Sequence, residues 1–542
     1  MNRTVRTLLG LLTIGLLALT SCKKDKQEPK QNEGTTYVNV AISIPTGLRA
    51  IPGEGDDDES NLKGKWNGQD AIEDITVYVV DNSSVSWDGY TKDDFEIINA
   101  SQDPAQDNKA ITIKPKKAIL TTPGDKKVYV VINAPDGIKN YLKKALPNEF
   151  ERAYEAAVSV ITAKEAARDV TKAGQKKDVI LMTNATMPLV QKIEDNVTEE
   201  QARQGTKNLI QIPVQRAVAR VLLTVSQEEF EITRPDGVKL GKIKNITYAV
   251  AQGEKSFYLT QLRDDPSSTP SSRGIVKTPG YDFCPRINGR TGKFELKTYK
   301  DMEEYYDYSD LIETAERGKE RKAIKADDVS DALKIGAQSL KQSAFIFENT
   351  HKHGEYNIVD YKGRYRRGNT AYVLVRATFV PYDNAFADKD NYAGQSYQEG
   401  TTFYVGENGA LYHTALNASD GKTRGSVQNQ KVAEYKDGKV LYYAIVNPDK
   451  PERPLNAPVY RNNIYHIRVT GFKKIGLNWN PLFPEDPDKD NPTNPDPKPK
   501  NPKEPVPPIK PEDNNSVKET YMAVSVSVIP WAVHSYDIEL TI

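Results

Sequence analysis

The sequence predicts a mainly β protein of stacked antiparallel sheets, and three observations carry that prediction. Apolar and small polar residues alternate in short runs closed by Asn/Asp turn chemistry, the pattern of half-buried strands. Tyrosine is used heavily, 29 against 13 Phe, which suits strands that are half wet. Helical spacing carries only one clear element. At 542 residues the chain exceeds one ordinary core, so two domains plus tails are expected. The 74 basic and 74 acidic residues cancel, which argues against nucleic acid as a partner and against a strongly charged substrate.

The N-terminus reads as a targeting segment. Arg3 and Arg6 precede an apolar run at 8–19, too short to span a bilayer and of the length of a signal-peptide core. It ends in Leu19-Thr20-Ser21-Cys22, and a cysteine after a Leu-x-small triplet resembles the bacterial lipobox. Residues 1–21 are therefore expected to be a lipoprotein signal peptide, with Cys22 acylated and anchoring the precursor in a membrane. An ordinary signal peptide with an incidental cysteine is the plainer alternative. The other cysteine, Cys284, stands between Phe283 and Pro285 and reads as a buried structural thiol, since one thiol cannot form an internal disulfide.

A polar tether at 23–35 leads into the strand Thr36-Tyr37-Val38-Asn39-Val40-Ala41-Ile42-Ser43-Ile44. The loop Pro45-Thr46-Gly47-Leu48-Arg49-Ala50 follows, then an acidic tract whose aspartates at 56–58 read as a solvated loop rather than a calcium site. Core strands are expected at 75–80 and 127–132. A helix opened by Pro147 carries Phe150, Tyr154, Val158 and Ile161 as one apolar stripe. A second series begins at 214–223 and continues at 246–251, 371–379, 402–405, 439–446 and 463–469. The boundary is placed near 225, giving domains at 50–225 and 226–480. Residues 481–515 hold twelve prolines and read as an extended polyproline linker. Thirty such residues span on the order of 90 Å, enough to carry a strand to a neighbour.

The C-terminal segment, 516–542, opens with a near copy of the first strand. Thr520-Tyr521-Met522-Ala523-Val524-Ser525-Val526-Ser527-Val528 repeats the alternation and the leading Thr-Tyr. Val38, Val40, Ile42 and Ile44 form one face of the first copy, and Met522, Val524, Val526 and Val528 one face of the second. After Pro530, Tyr536, Ile538, Leu540 and Ile542 alternate again. An isolated strand is unstable in water, so this segment must be buried in its own subunit or the next. Four to eight such side chains with ladder hydrogen bonds supply on the order of 10–20 kcal/mol gross, an upper bound before entropy. Two similar strands that fill one groove in turn are the logic of polymerisation by strand exchange.

Several motifs extend that reading to a family. They are Val250-Ala251-Gln252-Gly253, Gly368-Asn369-Thr370-Ala371-Tyr372-Val373-Leu374-Val375-Arg376-Ala377, Val405-Gly406-Glu407-Asn408-Gly409, Arg461-Asn462-Asn463-Ile464-Tyr465-His466-Ile467, Asn478-Trp479-Asn480-Pro481-Leu482 and the tail Pro530-Trp531-Ala532-Val533-His534-Ser535-Tyr536. In these the chain resembles the shaft fimbrillins of the minor, or short, fimbriae of oral Bacteroidales, type V pilins made as lipoprotein precursors. The resemblance implies two transthyretin-like β-sandwich domains and an extended C-terminal donor strand, Tyr536, Ile538 and Leu540 included. It implies cleavage by an arginine-specific surface protease, here matching Arg49-Ala50, which would discard the propeptide 22–49 with its strand. The partners implied are the chain itself as a homopolymer, accessory anchor and tip proteins, and host or bacterial receptors, in adhesion, co-aggregation and biofilm formation. The outer membrane is implied as a partner through the precursor's lipid.

No cofactor or metal is expected. Gly289-Arg290-Thr291-Gly292-Lys293 lacks the first glycine and the Ser/Thr of a phosphate loop and reads as a turn. His351 and His353 flank Lys352 without a placed third ligand and read as a surface loop. No nucleophile, base and orienter come together, so a structural protein is expected rather than an enzyme. A monomeric surface lipoprotein binding glycan or protein is one alternative. An anchor or tip subunit is another, weakened by Arg49-Ala50 and by the donor strand respectively.

Overall fold

The computed structural model describes residues 34–44, 71–99, 111–172, 175–263, 275–282, 299–327, 342–352, 364–449, 454–483, 494–500 and 522–530, with isolated positions at 331 and between 504 and 515. Two bodies of sheet follow each other along the chain.

The first is a ten-stranded sheet. Its strands are β1 (Thr36–Ile44), β2 (Asp74–Val80), β3 (Val85–Thr91), β4 (Phe95–Asn99), β5 (Ile111–Pro115), β6 (Ile119–Thr121), β7 (Gly124–Ile132), β8 (Met182–Asn184) and β9 (Leu209–Arg216), with Gln191–Ile193 beside β7. The order is β3-β2-β7-β8-β9-β1-β5-β4, with β6 also on β1. Its core gathers Val38, Val40 and Ile42 with Val77, Val130, Met182, Ile113 and Val214.

Two helices follow β7. Helix α1 (Asp136–Lys143) has no counterpart in the sequence reading. Helix α2 (Pro147–Glu155) opens on Pro147 as expected but ends at Ala156, whose backbone turns extended. Val158 therefore lies in a two-residue strand and Ile161 in a loop, yet both stay buried in the same cluster as Phe150 and Tyr154. The stripe was right about burial and too long about helix.

The second body holds β10 (Ala219–Val225), β11 (Phe230–Thr233), β12 (Lys239–Ala251), β13 (Ser343–Ile346), β14 (Tyr372–Pro381), β15 (Lys439–Ile445), β16 (Asn463–Phe472) and β17 (Met522–Pro530). One sheet runs β10-β16-β17 with β13 on the far side of β10, and a second runs β11-β12-β14-β15. The run 214–223, expected as one strand, is divided. Gln215 and Arg216 end β9 in the first sheet, and Ala219 begins β10 in the second. The sheets thus change at 217–218, and β10 belongs with the second body although it precedes residue 225.

Both bodies follow one plan. In the first, β8-β9-β1-β5 pair antiparallel, parallel, antiparallel. In the second, β17-β16-β10-β13 pair in that same succession. The opening strand of each body has a parallel neighbour, β9 beside β1 and β16 beside β10, so the sheets are mixed rather than purely antiparallel. Between the bodies, Tyr78, Tyr129, Phe150 and Tyr154 share an apolar cluster with Leu222, Phe257, Phe347 and Ile464. Burial of this kind makes the two a continuous packed unit.

Candidate functional site: a strand slot and a strapped tail

Strand β1 is an interior strand, held on both edges. On one side Asn39 to Ser43 pair in parallel with Leu209 to Pro213 of β9. On the other, Thr36 to Val38 pair antiparallel with β6 and Ile42 to Ile44 with β5. Val38, Val40 and Ile42 are fully buried and Ile44 nearly so, all in the first core. Burying these four side chains stabilises by roughly 6–12 kcal/mol gross, at about 1.5–3 kcal/mol each.

The alternation suggested one buried face, but Asn39 and Ala41 on the other face are buried as well. Helix α3 (Glu199–Gln204) lies against β1, capped by Thr198 and closed by Gly205 in the left-handed region. Tyr37 packs there on Ala118, Val197 and Ala202. The polar residues are accounted for: Thr36 Oγ1 donates to Glu194 O at 2.7 Å, and Asn208 Nδ2 donates to Tyr37 O at 2.9 Å.

Between β6 and β5 the ladder on this edge is interrupted, and Asn39 spans the gap. Its Nδ2 donates to Pro115 O at 3.1 Å while its Oδ1 accepts from Val40 N at 2.9 Å. The C-terminal copy has Ala523 at the corresponding place. Sequence reasoning passed over Asn39, whose signal was a polar amide inside an otherwise apolar or small-residue run.

The C-terminal strand β17 lies on its own chain, antiparallel to β16, with Met522 opposite Phe472, Val524 opposite Val469, Val526 opposite Ile467 and Val528 opposite Tyr465. It forms one ladder at a sheet edge. Tyr536, Ile538 and Leu540 lie outside the described residues, as do Cys22, Arg49, Ala50, the aspartates at 56–58, Cys284 and the turn at 289–293.

The proline-rich segment is where the structure departs most from expectation. Its described residues are attached to the second body and do not form a free polyproline tether. Asp496 is buried between two cations, accepting from Arg376 Nε at 2.9 Å and Lys439 Nζ at 2.8 Å. Burial pushes its carboxyl up, but Arg376 and Lys439 hold it below the usual carboxylate range. Arg376 also donates to Leu311 O at 2.8 Å and Thr314 Oγ1 at 3.1 Å. Asn478 Nδ2 donates to Glu504 Oε2 at 2.7 Å. The amides of Arg367 and Gly368 donate to the carbonyls of Asp513 and Pro511 at 3.0 and 2.9 Å. Asn515, itself buried, donates to Thr370 Oγ1 at 2.8 Å. An arginine inside the apolar strand 371–379 was the sequence signal that a counter-charge had to come from elsewhere.

Two of the motifs that suggested a family, 368–377 and 478–482, meet this segment. Gly368, Thr370 and Arg376 receive the segment, as do Asn478 and Asn480, the latter donating from its backbone to Asp496 O at 3.0 Å. Arg461 meets Glu348 at 2.7 Å, both almost wholly buried, and also reaches the carbonyls of Tyr258 and Leu259. His466 bonds Thr224 Oγ1 at 2.7 Å. The surface-loop reading of His351 is corrected: it is buried against Tyr365, bonds Asn369 O at 3.0 Å, and burial depresses it to about 4. His353 lies outside the described residues. Among the described residues no cluster of three or more His, Cys, Asp or Glu is placed to hold a metal.

Comparison with known proteins matches this layout. Residues 36–215, from the first residue of β1 into β9, match the family described as major fimbrial subunit protein (FimA). Residues 433–537, which include β15, β16 and β17, match the C-terminal domain of fimbrillin, major fimbrial subunit protein type IV. Two relatives, both the minor fimbrium subunit Mfa1 of Porphyromonas gingivalis, are 32% and 31% identical over 551 residues, covering 98% of this chain and 98% of each relative. Among solved structures, the tip fimbrial protein Mfa3 of Porphyromonas gingivalis aligns with 80% of this chain and 95% of its own, at 10% identity and a TM-score of 0.26.

Proposed function

The chain belongs to the fimbrillins, the family of the minor fimbrium subunit, and from that premise we propose that this structural subunit of a cell-surface fimbria polymerises by strand exchange. The precursor is exported, acylated at Cys22 and held at the outer membrane. An arginine-specific protease cuts at Arg49-Ala50, which frees β1 and the lipid from the body. The slot of β1 then accepts the C-terminal strand of a second copy. Met522, Val524, Val526 and Val528 take the places of Val38, Val40, Ile42 and Ile44, and Tyr536, Ile538 and Leu540 extend the donor. Anchor and tip subunits end the filament, and the filament serves adhesion, co-aggregation and biofilm formation through surface receptors.

The observation that carries this reading is that β1 is flanked on both edges. Its counterpart in the second body is β10, buried along its whole length. Losing β1 therefore opens a central gap, with two rows of backbone groups and an apolar floor exposed. A strand moving from β16 into that gap exchanges one ladder for two. This difference supplies a direction for assembly.

The test is the N-terminus of the mature subunit together with two variants. Ala50 as first residue, lipidated monomer from Arg49→Ala, and loss of polymer ladders on unheated gels after deletion of 521–542 are the expected outcomes. Ladders that persist after the deletion overturn the exchange. A second reading, a monomeric surface lipoprotein, is favoured by the β16–β17 ladder within one chain. A mature protein that starts at acylated Cys22 would establish it.

A further inference from the structure

Beyond the exchange itself, we propose that the proline-rich segment is a fixed strap. The donor strand then leaves from Asn515 on a short lead, and the accepting copy seats directly against the 366–370 end of the second body. The filament part of this proposal rests on the exchange reading; the strap does not.

Attachments recur along the segment and differ in kind. Asp496 is the counter-ion of Arg376, whose Nη groups are already committed to Leu311 O and Thr314 Oγ1. Lifting the strap would leave a nearly buried guanidinium without its carboxylate, which is strongly unfavourable. Glu504 is held by Asn478, and Ile509 packs against the cluster of Met302, Tyr372, Leu441 and Phe483. At Pro511 the backbones come so close that a Cβ on Gly368 would stand 2.6 Å from Pro511 Cβ. Only glycine fits there. Asn515, 2% exposed, is the last attachment ahead of β17 among the described residues.

The length that remains is short. Met522 is seven residues beyond Asn515. Seven residues reach at most roughly 25 Å, against on the order of 90 Å for a free linker of the same composition. A donor on such a lead cannot enter a distant slot. If it enters as β1 lies, Met522 takes the place of Val38 opposite Ile119, and the slot's mouth is the rim around Thr121, Glu194 and Val197. That rim of the accepting copy is the surface placed against the 366–370 end of the donor.

Two insertions of one eight-residue Gly/Ser sequence, in full-length subunits assembled on cells, test the lead. One goes between 492 and 493, ahead of Asp496; the other between 516 and 517, past Asn515. The upstream insertion is expected to bulge and leave filament persistence length in electron micrographs unchanged. The downstream one doubles the lead and is expected to shorten persistence length severalfold. Equal effects from the two, or no effect from either, overturn the proposal. Hydrogen exchange on the purified monomer tests the strap without the filament. The Arg367 and Gly368 amides are expected to exchange about tenfold faster in Asp496→Asn than in the wild type, because local opening of the strap frees them. Unchanged protection overturns the strap, whereas ladders surviving deletion of 521–542 would count against the exchange alone.

Discussion

Arg461 Nε donates to Glu348 Oε2 at 2.7 Å where the two bodies meet, with side chains 1% and 4% exposed. The guanidinium also caps the carbonyls of Tyr258 and Leu259, and Glu348 accepts from Gln261 and from the Arg461 amide. Removing one partner strands the other. Glu348→Ala is expected to cost about 3–5 kcal/mol, read as a lowered denaturant midpoint. A loss below about 1 kcal/mol would mean that water reaches the pair.

Asn39 is the polar anchor of the first strand. In Asn39→Ala the carbonyl of Pro115 loses its donor in a buried site, so the precursor should be destabilised by about 1–3 kcal/mol. Equilibrium unfolding of the uncleaved protein measures it. Ala523→Asn, conversely, should raise the temperature at which polymer ladders dissociate, if Ala523 takes the place of Asn39. An unchanged dissociation temperature counts against that register.

Glu254 gives the stability a pH dependence. It is buried, accepts from the Thr278 hydroxyl and from Gly280 N, and burial raises it to about 8. The folded value lies above the unfolded value of about 4.3. Its contribution is therefore complete below pH of about 4.3 and is lost as pH rises through about 8. The Tm of the wild type relative to Glu254→Gln should fall between pH 5 and pH 8, roughly the window between those two values. A constant difference across that range would show that Glu254 stays ionised.

Gly368→Ala brings a Cβ to 2.6 Å from Pro511 Cβ and 3.1 Å from Met302 Cε. Backbone on one side cannot yield as a flexible side chain can, so a loss of about 1–3 kcal/mol is expected in thermal or denaturant unfolding. Gly89→Ala, which meets nothing within 4 Å, is the matched control.

What was legible in the sequence was the strand signal. Asp74–Val80, Gly124–Ile132 and Asn463–Phe472 stand where β-branched and aromatic residues gather in short runs, because that enrichment is local. What was not legible was partnership. The division between Gln215 and Ala219 depends on which sheet each half joins, and no local pattern records that. Composition made the proline-rich segment look free, since prolines cannot build a ladder. Its hold is instead made by isolated polar residues, Asp496 and Asn515, whose partners lie 120 and 145 positions away. Arg376 points the same way: a charged residue in an apolar strand was the signal, and its partner was what the sequence withheld.

The parallel pairing of β1 with β9, opposite its antiparallel pairing with β5 and β6, makes the slot a one-way seat. Slanted parallel bonds on one edge and perpendicular antiparallel bonds on the other can be satisfied together by a chain running one way only. A strand entering tail-first would meet the wrong spacing on both edges. Every joint made through such a slot would carry the same polarity, so a fibre built from these joints would have one growing end chemically unlike the other, and two fibres meeting head to head could not fuse.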